Sequence, residues 1–271
     1  MNKELIEEID QIPMLPESIL KVEKVYADEE SSIKDMTDAL SSDPVIIANI
    51  LKIANSPLYG FSAEIKDIAR AASLYGKDTI RSFALNIAAN ECVPIDVTPY
   101  EITSGGYIKK AQTQNALITN WVSKVDRSLL ANLAPASFLI EIGKIMISRY
   151  LVNHQLEGKF KELCSNTDST IEGNEKEVCG CNSYDVAATI FHHWNFDPEL
   201  VHLVRYANTP DDALDEETKT LARYLHVAKT AVDFTGNLSK EGLEEAYDLI
   251  EEYELDRNKF DMAVEKIEEA A

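Results

Sequence analysis

Two cysteines separated by one residue are the side chains whose type and spacing come nearest to a chemical site. Cys179 and Cys181, together with Cys164 or His192, could offer thiolate and imidazole ligands to zinc. Structural zinc sites usually place about two to four residues between paired cysteines, and only one close pair occurs here. A redox-sensitive pair in a surface loop is an alternative. Ordinary reduced thiols are the favoured interpretation, so we expect no cofactor.

Two adjacent histidines, His192 and His193, precede Trp194. Neighbouring residues on a helix point about 100° apart, so both imidazoles cannot easily bind one metal ion. We expect one histidine to pack beside Trp194 and the other to face solvent. The pair is therefore interpreted as structural.

Other enzyme classes find no support in the sequence. The G-x-S-x-G nucleophile elbow, the P-loop and the dinucleotide-binding glycine pattern are all absent. With 47 acidic and 26 basic residues, the net charge of −21 argues against direct binding to nucleic acid or an anionic membrane. Apolar runs fall short of the roughly 20 residues that span a bilayer, and the N-terminus lacks the apolar core of a signal peptide. These features predict a cytoplasmic protein without membrane insertion.

The elements that must position any site are predicted to be helices. Apolar residues recur with helical spacing along most of the chain, whereas the alternation typical of strands is never sustained over residues 1–91. The Pro- and Gly-containing residues 92–106 predict a packed connector. The sequence thus predicts an all-α fold with an N-terminal bundle over residues 1–93 and a second helical lobe over residues 94–271.

Three features of the second lobe are predicted less directly. Pro135 is expected to open a helix that carries Phe138 and Met146, because proline suits a first helical position. Residues 173–182 are interpreted as a polar loop. The chain from Glu241 onward contains twelve acidic and three basic residues. Its apolar residues recur with helical spacing, which predicts amphipathic helices that cover the core.

One well-capped helix organises the first lobe. Asp43 is predicted to cap it and Pro44 to occupy its first position. The apolar face is expected to contain Ile47, Ile50, Leu51 and Ala54. The helix should end near Asn55 and Ser56, because Pro57 disfavours helical geometry in the residue before it. Tyr59 and Gly60 then form a tight turn.

This segment, with its neighbours, resembles the signature of the HDOD family, the HD-related output domain of bacterial signalling proteins. The signature has a leucine-proline start, a helix begun by Asp-Pro and ended by Asn-Ser, a Tyr-Gly turn, and a later Leu-x-Gly. These parts correspond here to Leu15-Pro16, Asp43-Pro44, Asn55-Ser56, Tyr59-Gly60 and Leu74-Tyr75-Gly76.

The resemblance implies a second lobe related to HD phosphohydrolases, whose histidines and aspartates hold divalent metals that activate water. The matching helix places Ile140 and Glu141 where the relatives have the His-Asp pair. Ser183 stands in place of a further histidine, and Lys229 in place of the distant aspartate, where its charge would repel a cation. No histidine precedes Asn153. We therefore expect no metal and no catalytic residue.

The functional expectation that follows is a non-catalytic signalling module that acts on protein partners, which must come in trans because no fused partner domain is evident. The alternatives are a degenerate metal-dependent phosphohydrolase or a protein that binds nucleotides, including cyclic dinucleotides, between the lobes. Asn55, Ser56, Tyr59 and Gly60 are interpreted as capping and packing residues, and alternatively as part of a ligand or partner surface.

Overall fold

The protein is helical throughout the part of the chain that its computed structural model describes, residues 1–60, 63–166 and 169–270. The first six helices are α1 (Lys3–Asp10), α2 (Glu17–Tyr26), α3 (Ile33–Leu40), α4 (Pro44–Ala54), α5 (Ile68–Tyr75) and α6 (Lys77–Cys92). They are followed by α7 (Ser104–Val125), α8 (Leu130–Leu139), α9 (Ile142–Asn153), α10 (Glu157–Cys164), α11 (Ile171–Cys179), α12 (Ser183–His193), α13 (Pro198–Tyr206), α14 (Glu216–Ala231), α15 (Lys240–Glu252) and α16 (Arg257–Glu268). Extended pairing in these ranges is limited to one isolated bridge between Val232 and Leu238. The prediction of an all-α fold is confirmed.

The short N-terminal helices begin and end at residues whose side chains satisfy free backbone groups. Ser32 and Asp35 form a reciprocal capping box at the start of α3. The Asp67 carboxylate accepts the backbone N–H of Arg70 at 2.7 Å at the start of α5. Gly76 ends α5 with φ of +84°, a conformation that side chains resist.

Helix α4 begins and ends where predicted, but its buried face differs from the predicted face by about one residue position. Ile46, Ile50, Ile53 and Ala54 are buried, whereas the predicted members Ile47 and Leu51 are only half-buried. The sequence contains apolar residues on nearly every side of this helix, so periodicity alone did not fix which side faces the core.

Helix α7 is the longest and packs against α8, α14 and α16. It begins at Ser104, within the predicted connector, because the Thr103 hydroxyl accepts the backbone N–H of Gly106. Trp121 near its end is fully buried, and its indole N–H donates to the carbonyl of Asp256 at 3.2 Å. This bond and the contact of Trp121 with Phe260 tie α16 to α7. The C-terminal helices thus cover the core as predicted.

The prediction that Pro135 opens a helix is wrong, because Pro135 lies inside α8. Proline cannot donate to the carbonyl four residues earlier, which normally interrupts a helix. Here that carbonyl belongs to Ala131, and the Arg81 guanidinium of α6 donates to it at 3.2 Å. The predicted single helix also breaks at Ile140 and Glu141, between α8 and α9.

The loop predicted over residues 173–182 is mostly helix α11. The Thr170 hydroxyl accepts the backbone N–H of Gly173 at its start, and Gly180 ends it with φ of +73°. Most of its polar residues form the outer face, but Asn174 and Glu175 are buried together with Cys179. The polar composition reflects a helix with a narrow buried face.

Buried hydrophobic residues form one continuous cluster that runs through both predicted lobes. Helix α1 packs against α9 and α12, and the Asn2 amide donates to the Tyr150 hydroxyl at 3.0 Å. The first helix therefore contacts the second predicted lobe. The division at residues 93 and 94 stays a prediction.

The helical span of residues 127–153 is long and apolar enough to cross a membrane by length and composition, but 89% of its most apolar window is buried inside the protein. Burial of this kind is typical of a core helix. Its hydrophobicity is accounted for by packing.

Candidate functional site

The break between α8 and α9 carries the two residues that stand in place of the expected His-Asp pair. The Ile140 side chain is buried in the core, where an aliphatic group offers no electron pair to a metal. Glu141 is also buried, with only 2% of its surface exposed. A buried carboxylate requires compensating charge or hydrogen bonds.

Two lysines and one amide provide that compensation. Glu141 Oε2 lies 2.7 Å from Lys144 Nζ, and Oε1 lies 3.4 Å from Lys110 Nζ. The Gln114 amide donates to Oε1 at 3.2 Å. Lys110 and Gln114 are four residues apart on α7, so both reach the start of α9 from one face.

The lysines determine the protonation of this carboxyl. Burial by itself would raise the pKa of Glu141, but the ammonium groups of Lys110 and Lys144 outweigh it and hold the pKa well below the usual range. Burial opposes the charge of Lys144 as well, yet Glu141 raises its pKa well above the usual value. Burial lowers the pKa of Lys110, whose contact with Glu141 is longer. The group is thus a tight ion pair with a second lysine beside it.

A third lysine completes what we call the lysine cluster, Lys110, Glu141, Lys144 and Lys229. Lys229 Nζ lies 5.5 Å from the centre of the Tyr184 ring, and Lys144 Nζ lies 5.4 Å from it. The electron-rich ring face attracts both ammonium groups. Burial, together with the charges of Lys110 and Lys144, lowers the pKa of Lys229 to about 8, although Glu172 and Glu141 oppose the shift.

Ser183 joins the cluster through the backbone and its hydroxyl. Its N–H donates to Glu175 Oε2 at 2.7 Å, and its Oγ lies 3.5 Å from Lys144 Nζ. Helices α9 and α12 approach closely at this point, since a Cβ on Gly143 would lie 1.8 Å from the Ser183 carbonyl oxygen. Gly143 is therefore required for the contact that brings Ser183 to Lys144.

The donor set does not fit a divalent metal ion. Hard cations need several oxygen ligands, and catalytic zinc needs three nitrogen, sulfur or carboxylate ligands with an open position. Here two ammonium groups occupy the one buried carboxylate at the break, and Lys229 adds a third positive charge. Within residues 1–60, 63–166 and 169–270 no three His, Cys, Asp or Glu side chains are grouped as metal ligands.

The structure brings together the four predicted degenerate positions, Ile140, Glu141, Ser183 and Lys229. Lys110, Lys144 and Gln114 were not predicted as partners of Glu141. Lys144 follows Glu141 by three residues, a spacing that places both on one helical face, and this signal could have identified it. Lys110 is distant in the sequence, and only the tertiary fold reveals its contact.

The signature residues lie away from this cluster and mainly organise helix ends. An Asp43 oxygen accepts the backbone N–H of Ile46 at 3.1 Å, and Pro44 is the first residue of α4. The Asn55 amide donates to the carbonyls of Leu51 and Ile65, and its oxygen accepts the N–H of Ile65. The Ser56 side chain makes no capping bond to the following turn.

Tyr59 connects this turn to α7. Its ring is 1% exposed, and its hydroxyl donates to Asn115 Oδ1 at 2.8 Å. Gly60 follows with φ of +72°. Asn55 thus binds backbone groups at the end of α4 and Tyr59 packs the turn against α7, whereas Ser56 does not cap the turn as expected. Any part of these residues in a ligand or partner surface stays a prediction.

The histidines and cysteines lie in ordinary structural settings. His193 Nε2 is 2.8 Å from the carbonyl of Ile12, whereas His192 is exposed. Cys179 ends α11 and Cys181 follows its cap, and both are buried, so the interpretation as a pair in a surface loop is wrong. Burial raises the pKa of Cys179 to about 12 and that of Cys181 to about 11, which disfavours the reactive thiolate.

Comparison with known proteins agrees with this geometry. The family model described as HDOD domain matches residues 12–210. A virulence factor of Campylobacter jejuni is similar in structure over all of both chains, with 25% identity and a TM-score of 0.61. An HDOD domain protein of unknown function from Geobacter sulfurreducens has 17% identity and a TM-score of 0.71 over 99% of this chain and 94% of its own.

For two further proteins, the similarity to this chain covers only part of the relative's length. A Marinobacter aquaeolei VT8 protein, named for signal transduction, has 21% identity and a TM-score of 0.67 over 97% of this chain and 58% of its own. An uncharacterised protein of Treponema pallidum strain Nichols is 20% identical over an alignment of 246 residues that covers 85% of this chain. The chain spans 44% of that curated relative.

Proposed function

The chain belongs to the HDOD domain family, and from that premise we propose that it is a bacterial signal-transduction module that acts on protein partners in the cytoplasm without metal-dependent hydrolysis. The observation that carries this proposal is the pairing of the buried Glu141 carboxylate with Lys144 and Lys110. Related phosphohydrolases would need this position for a metal ligand.

The energetics of the cluster support a structural role for these charges. A buried ion pair is costly to separate, because either partner alone would remain charged in a medium of low dielectric constant. A divalent cation at Glu141 would have to displace both ammonium groups and would then lie near Lys229. Repulsion between like charges at such short range disfavours that exchange.

The charge of the molecule bears on the kind of partner. The net charge of −21 favours basic partner surfaces, and helix α15, with six acidic residues and one basic residue, contributes to it. The expected partner is therefore a protein with a positive contact surface, bound more tightly at low ionic strength.

The test is to incubate the purified protein with Mn²⁺, Fe²⁺ and Zn²⁺, measure bound metal, and assay hydrolysis of cyclic dinucleotides and of a generic phosphodiester. We expect less than stoichiometric metal, no metal-dependent rise in Tm, and no turnover. One tightly bound metal ion per chain, together with turnover that a chelator abolishes, would refute the proposal. Thermal unfolding with each metal is an independent readout, since a ligand of the folded state raises Tm.

A further inference from the structure

A cavity of about 380 Å³ lies where the turn of residues 57–60 and the end of α5 face α7, the start of α8, and α16. We call it the signature pocket because two parts of the family signature line it. Its apolar wall consists of Tyr59, Leu74, Tyr75, Leu130 and Met262. Its volume falls within the range of small-molecule sites, about 300–1,000 Å³.

Three cations line this pocket, and no acidic residue accompanies them in its described lining. They are Lys124 at the end of α7, Arg127 just after it, and Lys266 in α16. None of the three forms an ion pair with a carboxylate in the ranges that the structure describes. Acidic residues outnumber basic ones by 47 to 26 in this chain, so three cations without an acid stand out from the average surface.

Both signature glycines make room for these cations. A Cβ on Gly60 would lie 1.9 Å from Lys266 Cε, and a Cβ on Gly76 would lie 2.7 Å from an Arg127 guanidinium nitrogen. The same arginine donates to the carbonyl of Tyr75 at 2.8 Å. Two glycines of the signature, separated by 15 residues, thus admit two positive side chains to one cavity.

Hydrogen bonds through Asn120 connect Lys266 of α16 to the turn of residues 57–60 at one side of the pocket. Lys266 Nζ donates to Asn120 Oδ1 at 2.7 Å, and the Asn120 amide donates to the carbonyl of Leu58 at 3.1 Å. The Thr119 hydroxyl oxygen is buried and has no hydrogen-bond partner within the described residues. Burial lowers the pKa of Lys266, and Lys124 lowers it further, as expected for cations that lack a counter-ion.

We propose that the signature pocket binds a small organic phosphate of about mononucleotide size, with its phosphate among Lys124, Arg127 and Lys266 and its organic part against the apolar wall. Arginine and lysine are the usual phosphate ligands of proteins. A phosphate monoester carries nearly two negative charges at neutral pH and would offset the uncompensated charge. Lys266 and Met262 lie beyond residues 12–210 that match the family model, so the site depends on this chain's own C-terminal helix.

This site goes beyond the proposed function and identifies the kind of small molecule that would control the signalling module. A bound phosphate would join the turn at Gly60, the end of α5 and helix α16. Binding would thereby hold together segments that are far apart in the sequence.

The experiment is calorimetric titration of the full chain with inorganic phosphate, AMP and adenosine at low ionic strength. We expect AMP to bind with a Kd of roughly 0.01–1 mM, phosphate to bind more weakly, and adenosine to bind weakest. Lys124→Met and Lys266→Met should each weaken AMP binding at least tenfold. Methionine keeps the aliphatic contact of Lys266 with Gly60, and circular dichroism would verify that both variants are folded.

Two controls identify the site. Lys240→Met removes the same charge from an exposed helix start and should leave the Kd unchanged. Lys229→Met alters the lysine cluster and should also leave it unchanged. No heat and no rise in Tm with phosphate or AMP at about 10 mM would overturn the proposal. Equal loss of binding in Lys240→Met, or loss confined to Lys229→Met, would overturn it too.

These outcomes are independent of the metal and turnover assay. A protein that hydrolyses phosphodiesters could still bind AMP at the signature pocket, and an inactive protein could fail to bind it. The proposed function and the proposed phosphate site can therefore each be refuted without refuting the other.

Discussion

The lysine cluster and the signature pocket each bring three cations together, but they treat the charge in opposite ways. In the lysine cluster, the Glu141 carboxylate forms ion pairs with both Lys144 and Lys110. In the signature pocket, Lys266 and Arg127 donate, within the described residues, only to neutral oxygens. A cation paired with a buried carboxylate has its charge neutralised and stabilises the fold. A cation that has only neutral acceptors can still bind an anionic ligand.

The largest expected effect tests the structural half of this comparison. Glu141→Gln removes the carboxylate and leaves Lys144 and Lys110 buried without a counter-charge, so we expect the free energy of unfolding to fall by about 3–5 kcal/mol. Urea unfolding at pH 7 measures it. Glu244→Gln, which breaks the exposed pair with Lys240, is the matched control and should change stability by less than about 0.5 kcal/mol. A loss below about 1 kcal/mol for Glu141→Gln would show that the pair is not structural.

The next effect concerns the glycine that admits Arg127. Gly76 has φ of +84° and ψ of 169°, a combination almost confined to glycine. Gly76→Ala should therefore lower the free energy of unfolding by about 2 kcal/mol and displace the Arg127 guanidinium. Gly158→Ala is the control, because a Cβ there meets no atom within 4 Å and stability should stay the same or rise slightly. Equal stability of the two variants would contradict the assigned strain.

The smallest effect depends on pH and tests Lys229. Burial lowers its pKa from 10.5 to about 8, so between these values the unfolded chain binds more protons than the folded one, and this group makes stability rise with pH. Below about pH 8 the lysine is charged in both states and the penalty is fully present. Lys229→Met should thus stabilise the protein by about 1–2 kcal/mol at pH 7, and the gain should shrink towards pH 10.

The measurement is urea unfolding of Lys229→Met and wild type at several values from pH 7 to 10. Lys240→Met, at an exposed position, should show a difference from wild type that does not vary over this range. A gain for Lys229→Met that stays constant with pH would mean that the charge of Lys229 is not the cause.

Much of the fold could be predicted because its signals are local. The caps at Ser32 and Asp43 and the positive φ of Gly76 follow from residue type and from neighbours three or four positions away. The prediction that Ile140 and Glu141 replace a His-Asp pair needed only the motif and side-chain chemistry, and the structure adds that both side chains are buried. The family assignment likewise depended on short motifs, and the match of the HDOD domain model to residues 12–210 confirms it.

The remaining features depend on partners that are distant in the sequence. Pro135 is compatible with a helix only because Arg81, 54 residues earlier, supplies a donor to Ala131. The signature pocket needs Lys266 beside Gly60, a contact across 206 residues. Neither contact leaves a periodic or compositional signal. Sequence reasoning therefore identified the glycines but not the cations that they admit.

The bond from Arg81 to the Ala131 carbonyl also has a consequence for the order of folding. The buried helix α8 carries one backbone carbonyl, that of Ala131, which Pro135 of the same helix cannot satisfy, and Arg81 of α6 supplies the donor. Arg81 is itself held by both oxygens of Glu23 in α2, at 2.7 Å each. We therefore expect helix α8 to reach its final buried state only after α2 and α6 have docked, as a late and non-local step of folding.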